Sequence, residues 1–92
     1  MFISKFDSVN GVPDEEQVRG WVEGYFQNTV MILNTFLVHV GAAEAVERMA
    51  AVPFDQLVRE ALEGESEAVI NQAVAIINEL ASFELEYMRA YI

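Results

Sequence analysis

Apolar positions between Val18 and Val40 repeat with a helical period and predict one long helix. At roughly 100° per residue, one face carries a continuous apolar stripe: Val18, Trp21, Val22, Tyr25, Thr29, Ile32, Leu33, Phe36 and Val40. The other side carries Gly20, Gly24, Gln27, Met31 and Val38. We expect the first stripe to lie in a core. The second face has small residues at one end and apolar residues at the other, and it predicts contact with another copy of the chain. Close packing inside the chain is the alternative.

The predicted bounds of helix 1 are 13–40. Pro13 suits the first helical position, and Gly41 can take the left-handed conformation that ends a helix. There are two alternatives. The helix can break in the Gly20–Gly24 segment, or the β-branched run Thr29–Leu33 can form a strand. The stripe continues in phase through that run and favours a helix.

The rest of the chain divides at its prolines and glycines. Residues 1–12 lack a helical period and predict an extended arm, in which a short edge strand is an alternative. Further helices are predicted at 42–51, 53–63 and 66–91, separated by Pro53 and Gly64. The last of them has the clearest apolar face: Val69, Ile70, Ala73, Ile76, Ile77, Leu80, Phe83, Tyr87, Met88 and Tyr91. The sequence therefore predicts a single all-α domain, a small bundle of about four helices, two long and two short, that forms a homodimer.

Charge and length limit the class of protein. The 92 residues include fifteen acids and five bases, for a formal net charge of −10, and 53% are hydrophobic. A domain of this size is only marginally stable, and dimerisation adds buried surface. The run Val30–Val40 is too short for a membrane span, and the first residues do not resemble a secretory signal. We expect a cytoplasmic protein with no membrane partner.

Residues that carry chemistry are sparse. The chain has no cysteine, and His39 is its one histidine, so neither a zinc set nor a di-iron motif can be assembled. The serines lie outside any Gly-x-Ser-x-Gly setting, and no glycine-rich phosphate loop is present. Five bases disfavour direct nucleic-acid binding. The sequence predicts a protein that is not an enzyme and has no cofactor or metal.

Two features of the acids stand out. The densest cluster crosses the turn between helices 3 and 4: Glu60, Glu63, Glu65 and Glu67. This cluster is interpreted either as a solvated corner or as a docking surface for a basic protein partner. Glu84 falls inside the apolar face of helix 4, where an unpaired buried carboxylate is costly. We therefore expect Glu84 to lie at an interface, to lie in water at the end of the bundle, or to form an ion pair with one of four groups: Arg19, Arg48, Arg59 or His39.

Two functions follow as hypotheses. In the first, a non-enzymatic acidic module inhibits or regulates a larger partner by occupying the basic surface of a nucleic-acid-handling complex. In size and charge the chain resembles small acidic helical proteins that block bacterial defence nucleases, which implies a nucleic-acid mimic. In the second, the protein is a structural subunit or helical adaptor whose working surface is the apolar side of helix 1, and acidity serves only solubility.

Overall fold

Four α-helices joined by short turns make up the described chain. The structure, a computed structural model, describes Phe6 and residues 14–90. The helices are α1 (Glu15–Leu37), α2 (Ala42–Ala50), α3 (Phe54–Ala61) and α4 (Glu67–Arg89). No strand occurs in these residues, and the predicted all-α class with four helices is confirmed. The predicted arm, apart from Phe6, lies outside the described residues, as do Pro13 and the end of predicted helix 4 at Tyr91.

Hydrogen bonds between Asp14 and Gln17 fix the start of α1. The Asp14 carboxylate accepts from the Gln17 backbone N–H at 2.8 Å, and the Gln17 side-chain oxygen accepts from the Asp14 N–H at 3.1 Å. This reciprocal capping box satisfies two of the amide groups that a helix start leaves unpaired. From Glu15 the helix continues without interruption to Leu37. The alternatives of a break at the glycines and of a strand are therefore wrong.

The predicted role of Gly41 is wrong. α1 ends at Leu37, and the Val38 backbone N–H donates to the Asn34 carbonyl at 3.2 Å. Gly41 has a φ of −67° and is the N-cap of α2 rather than a left-handed end of α1. The left-handed glycine is Gly64, with a φ of 97°, in the turn between α3 and α4. Among the described glycines, only Gly64 has a backbone conformation that requires the freedom of glycine.

The core lies where α3 and α4 cover the first half of α1. Tyr25 donates a hydrogen bond from its hydroxyl to the Leu57 carbonyl at 3.5 Å, and the Phe26 and Phe54 rings lie 5.3 Å apart. Side chains with no exposed area come from these three helices and the residue after α3: Val18, Val22, Val58, Leu62, Ala73 and Ile77. α2 packs on α4 through the buried faces of Val46 and Met49.

The two long helices run in the same direction. Arg19 near the start of α1 lies 3.8 Å from Glu79, whereas Asn34 near its end shares a groove with Met88. Later residues of α1 therefore lie beside later residues of α4. Arg19, in the second turn of α1, lies beside the middle of α4, and the last turns of both helices lie at the same end.

Candidate interaction surface

The apolar stripe of α1 is better covered in its first half than in its second, where Leu33 still packs against the core. Val18 and Val22 are buried, as predicted, but Ile32 and Phe36 are exposed, so their predicted place in the core is wrong. The stripe from Val18 to Phe36 is about 27 Å long, whereas the eight residues of α3 extend only about 12 Å. α3 is too short to cover the second half of the stripe.

Exposed large apolar side chains are confined to one end of the described structure. Six of them are between 59% and 74% exposed: Met31, Ile32, Phe36, Val38, Phe83 and Tyr87. All lie in the second halves of α1 and α4 or at the residue that caps α1. Phe83 and Tyr87 belong to the apolar face predicted for the last helix, a face that we expected to pack in the core like Ile76 and Ile77. That expectation is wrong for these two residues, because α1 and α2 leave this side of α4 open.

Two adjoining grooves connect α1 to α4 at this end. The first, of about 370 Å³, is lined by Asn34, Ala42, Ala45, Val46, Glu84, Tyr87 and Met88. The second, of about 300 Å³, is lined by Phe26, Gln27, Val30, Met31, Asn34 and Glu84. Because both grooves include Asn34 and Glu84, they form one continuous surface, which Val38 and Phe83 extend by one helical turn each. We call it the α1–α4 face, and its residues are Met31, Asn34, Val38, Phe83, Glu84 and Tyr87.

The residues predicted for self-association all lie exposed on one side of α1 and its cap: Gly20, Gly24, Gln27, Met31 and Val38. A Cβ atom added to Gly20 or Gly24 would meet nothing within 4 Å. Close packing of the described chain therefore does not explain these glycines. Self-association remains a prediction, and its residues Met31 and Val38 belong to the α1–α4 face.

Glu84 lies half-buried in the centre of the α1–α4 face. Of the bases expected to pair with it, Arg19 lies 3.8 Å from Glu79, and Arg48 lies 2.9 Å from Glu44. Glu84 forms no salt bridge with any described residue, so the predicted ion pair is absent. Its carboxylate borders two open grooves at the end of the bundle, which agrees with the predicted alternative of a hydrated position there.

The acidic cluster lies at the opposite end of α4. Glu60, Glu63 and Glu67 are exposed, Glu65 is half-buried, and all four flank the turn at Gly64. The 17 residue steps of α4 between Glu67 and Glu84 separate this cluster from the centre of the α1–α4 face by roughly 25 Å. We call these four residues the acidic end. The described residues contain no group of His, Asp and Glu side chains that could hold a metal ion.

One signal in the sequence marks the α1 side of this surface. From Gly24 to Ala43 there is no Asp, Glu, Lys or Arg, although the whole chain carries fifteen acids and five bases. Depletion of charge distinguishes the centres of protein interfaces from other surfaces. The apolar period of helix 4 gave no corresponding sign that Phe83 and Tyr87 are exposed.

Neither the helices nor the comparisons with known proteins supply a function. No helix in the described ranges is long and apolar enough to cross a membrane. No protein-family model, curated protein or solved structure matches the chain. Cytoplasmic localisation remains a prediction.

Proposed function

We propose that the protein is a non-enzymatic interaction module that binds a folded protein through the α1–α4 face. The observation that supports this proposal is the exposure of Met31 and Tyr87, which line two joined grooves. Val38 and Phe83 are exposed as well and lie one helical turn from the groove residues Asn34 and Tyr87. Complete burial of one such side chain stabilises a complex by about 1.5–3 kcal/mol. Because these four are already partly covered, their burial contributes on the order of 4–8 kcal/mol before the cost of association.

The apolar surface is better supported than the acidic one. Three of the four carboxylates of the acidic end are exposed, and two of the four, Glu65 and Glu67, lie next to the start of α4, where the helix dipole favours acids for a local reason. No second feature of the described residues marks it as a binding site. By contrast, exposed aromatic side chains are unfavourable in water and are enriched at protein interfaces. This favours the adaptor hypothesis over a nucleic-acid mimic.

Site-specific photocrosslinking in the native host tests the proposal. A photoreactive amino acid replaces Phe83 in one variant and Asn71 in the control, which is also exposed on α4 but lies twelve positions nearer the acidic end. We expect covalent adducts of defined mass from position 83 and none from position 71. Absence of adducts from position 83, or equal labelling from both positions, would refute the proposal.

Charge reversal separates the two hypotheses. The triple variant Glu60→Lys, Glu63→Lys and Glu65→Lys changes the acidic end and leaves the α1–α4 face intact. We expect the adducts from position 83 to persist in it. Loss of those adducts, with the fold intact by circular dichroism, would show that the acidic end makes the contact.

A further inference from the structure

We infer that the α1–α4 face is occupied by a second copy of this chain, in a two-fold symmetric dimer whose acidic ends point away from each other. The inference rests on the proposed function, because it names the partner for the same face. It is carried by three properties of the described structure, which are the shape of the face, the distribution of charge and the direction of the long helices.

The face contains both a projecting group and a recess. Phe83 is 74% exposed and projects from α4, while the grooves beside Asn34 and Glu84 have volumes of about 300 and 370 Å³. A two-fold interface uses the same patch on both subunits, so the patch must complement itself. A projecting aromatic ring beside an open apolar groove meets that condition, since each copy can insert its ring into the groove of the other.

The distribution of acidic residues favours self-association through this face. Two copies with a net charge of −10 each repel one another, and the repulsion is smallest where the contact surface carries few acids. Glu84 is the one acid of the α1–α4 face as defined above. The α1 side of the contact comes from the uncharged segment Gly24–Ala43. A basic partner would find only Glu84 to pair with on the face itself. The face therefore fits a second copy better than it fits a basic protein.

The direction of the helices fixes the orientation of the dimer. Because α1 and α4 run the same way, the α1–α4 face lies at their carboxyl ends and Glu67 lies at the start of α4. Antiparallel overlap of the two faces places the acidic ends on opposite sides of the dimer, several Debye lengths apart at physiological salt, where one Debye length is about 8 Å. Parallel overlap would bring them side by side.

The required area predicts how far the contact extends. A stable interface buries roughly 800 Å² per partner. The exposed parts of Phe83 and Tyr87 supply on the order of 250 Å², which is too little even with Met31 and Val38 added. The contact must therefore continue along the exposed side of α1 to Gln27 and Gly24. That is the side of α1 on which the sequence predicts self-association.

Sedimentation equilibrium over a concentration series tests the dimer. The variant Phe83→Glu places a charge in the interface, and Asn71→Glu adds the same charge to an exposed position elsewhere on α4. We expect the wild type to reach twice the mass of one chain. Phe83→Glu should weaken the dimer at least about tenfold, and Asn71→Glu should change it less than about threefold. A single-chain mass for the wild type at every concentration up to about 1 mM would overturn the inference.

Spin labels test the orientation. The sequence contains no cysteine, so Val38→Cys and Asn71→Cys each give one labelled site per chain. Asn71 lies about 20 Å along α4 from the α1–α4 face, so antiparallel overlap predicts a separation of roughly 40 Å between labels at position 71 and a shorter one at position 38. A shorter separation at position 71 than at position 38 would overturn the proposed orientation.

The two proposals fail in distinguishable ways. A wild type that stays monomeric, together with adducts from position 83 to a different protein, would overturn the dimer and leave the proposed function standing. A monomer without adducts from position 83 would overturn both. Adducts from position 83 with twice the mass of the chain, together with the dimer in solution, support both.

Discussion

Replacing Gly20 and Gly24 with alanine should stabilise the folded monomer. Both glycines lie inside α1, are exposed, and have no atom within 4 Å of an added Cβ. Glycine in a helix interior costs about 1 kcal/mol relative to alanine, because it loses more backbone freedom on folding. With no clash to offset that gain, the double variant should raise the free energy of unfolding by about 2 kcal/mol. For a domain of this size, this corresponds to an increase in Tm of about 10 °C.

The assay is urea and thermal unfolding followed by circular dichroism, at a protein concentration where the wild type is monomeric. Gly41→Ala is the matched control, because its added Cβ also meets nothing within 4 Å, yet Gly41 is the N-cap of α2. Glycine is preferred to alanine at an N-cap, so this change should not stabilise the protein. A double variant no more stable than the wild type would refute the reasoning that both glycines lie on an open side of a regular helix.

The same glycine variants separate folding from association. If the dimer contact reaches Gly24, an added Cβ keeps the two copies of α1 further apart and weakens the dimer while it stabilises the monomer. We expect the dissociation constant of the double variant to rise at least about fivefold. A dimer as tight as the wild type, with the expected gain in monomer stability, would contradict the inferred extension of the contact to Gly24.

The remaining predictions concern the stability of the monomer, measured as the free energy of unfolding in urea. Asp14→Ala removes the capping box and should lower it by about 1 kcal/mol, whereas Glu15→Ala should change it much less; equal effects would contradict the role of the cap. Gly64→Ala, at a φ of 97°, should lower it by roughly 1–2 kcal/mol, and a stabilised variant would show that this turn differs from the structure. Ile77→Ala, in the core, should lower it by about 2–5 kcal/mol, and Ile32→Ala, on the exposed stripe, by less than about 0.5 kcal/mol. A large loss for Ile32→Ala would place that side chain in the monomer core.

Helical periodicity allowed the elements to be predicted but not their ends. The in-phase stripe on α1 predicted a continuous helix through Gly20 and Gly24, and the structure has one. The end of α1 was misplaced because Gly41 is equally suited to begin the next helix, which is what it does. Which of two adjacent helices uses a glycine depends on backbone hydrogen bonds that a residue pattern does not contain.

Periodicity also could not reveal which parts of an apolar face are covered. Val22 and Phe36 belong to one stripe, yet Val22 is buried and Phe36 is exposed. In the same way Ile77 is buried and Phe83 is exposed on α4. Coverage depends on the lengths of the neighbouring helices, so the candidate surface could not be located from the stripe. The charge-free segment Gly24–Ala43 was the signal for its α1 side.

The separation of acidic and apolar ends predicts how salt acts on association. Arg19 and Glu79 form an ion pair between α1 and α4, with side chains that are 40% and 68% exposed, so the pair contributes little compared with the apolar packing of these helices. Raising the salt concentration from about 0.1 to 1 M shortens the Debye length from about 10 to 3 Å. Screening then weakens the repulsion between two copies and should tighten a dimer built on the α1–α4 face. A complex of the acidic end with a basic partner should weaken under the same change, so the direction of the salt effect on each observed complex identifies the surface that forms it.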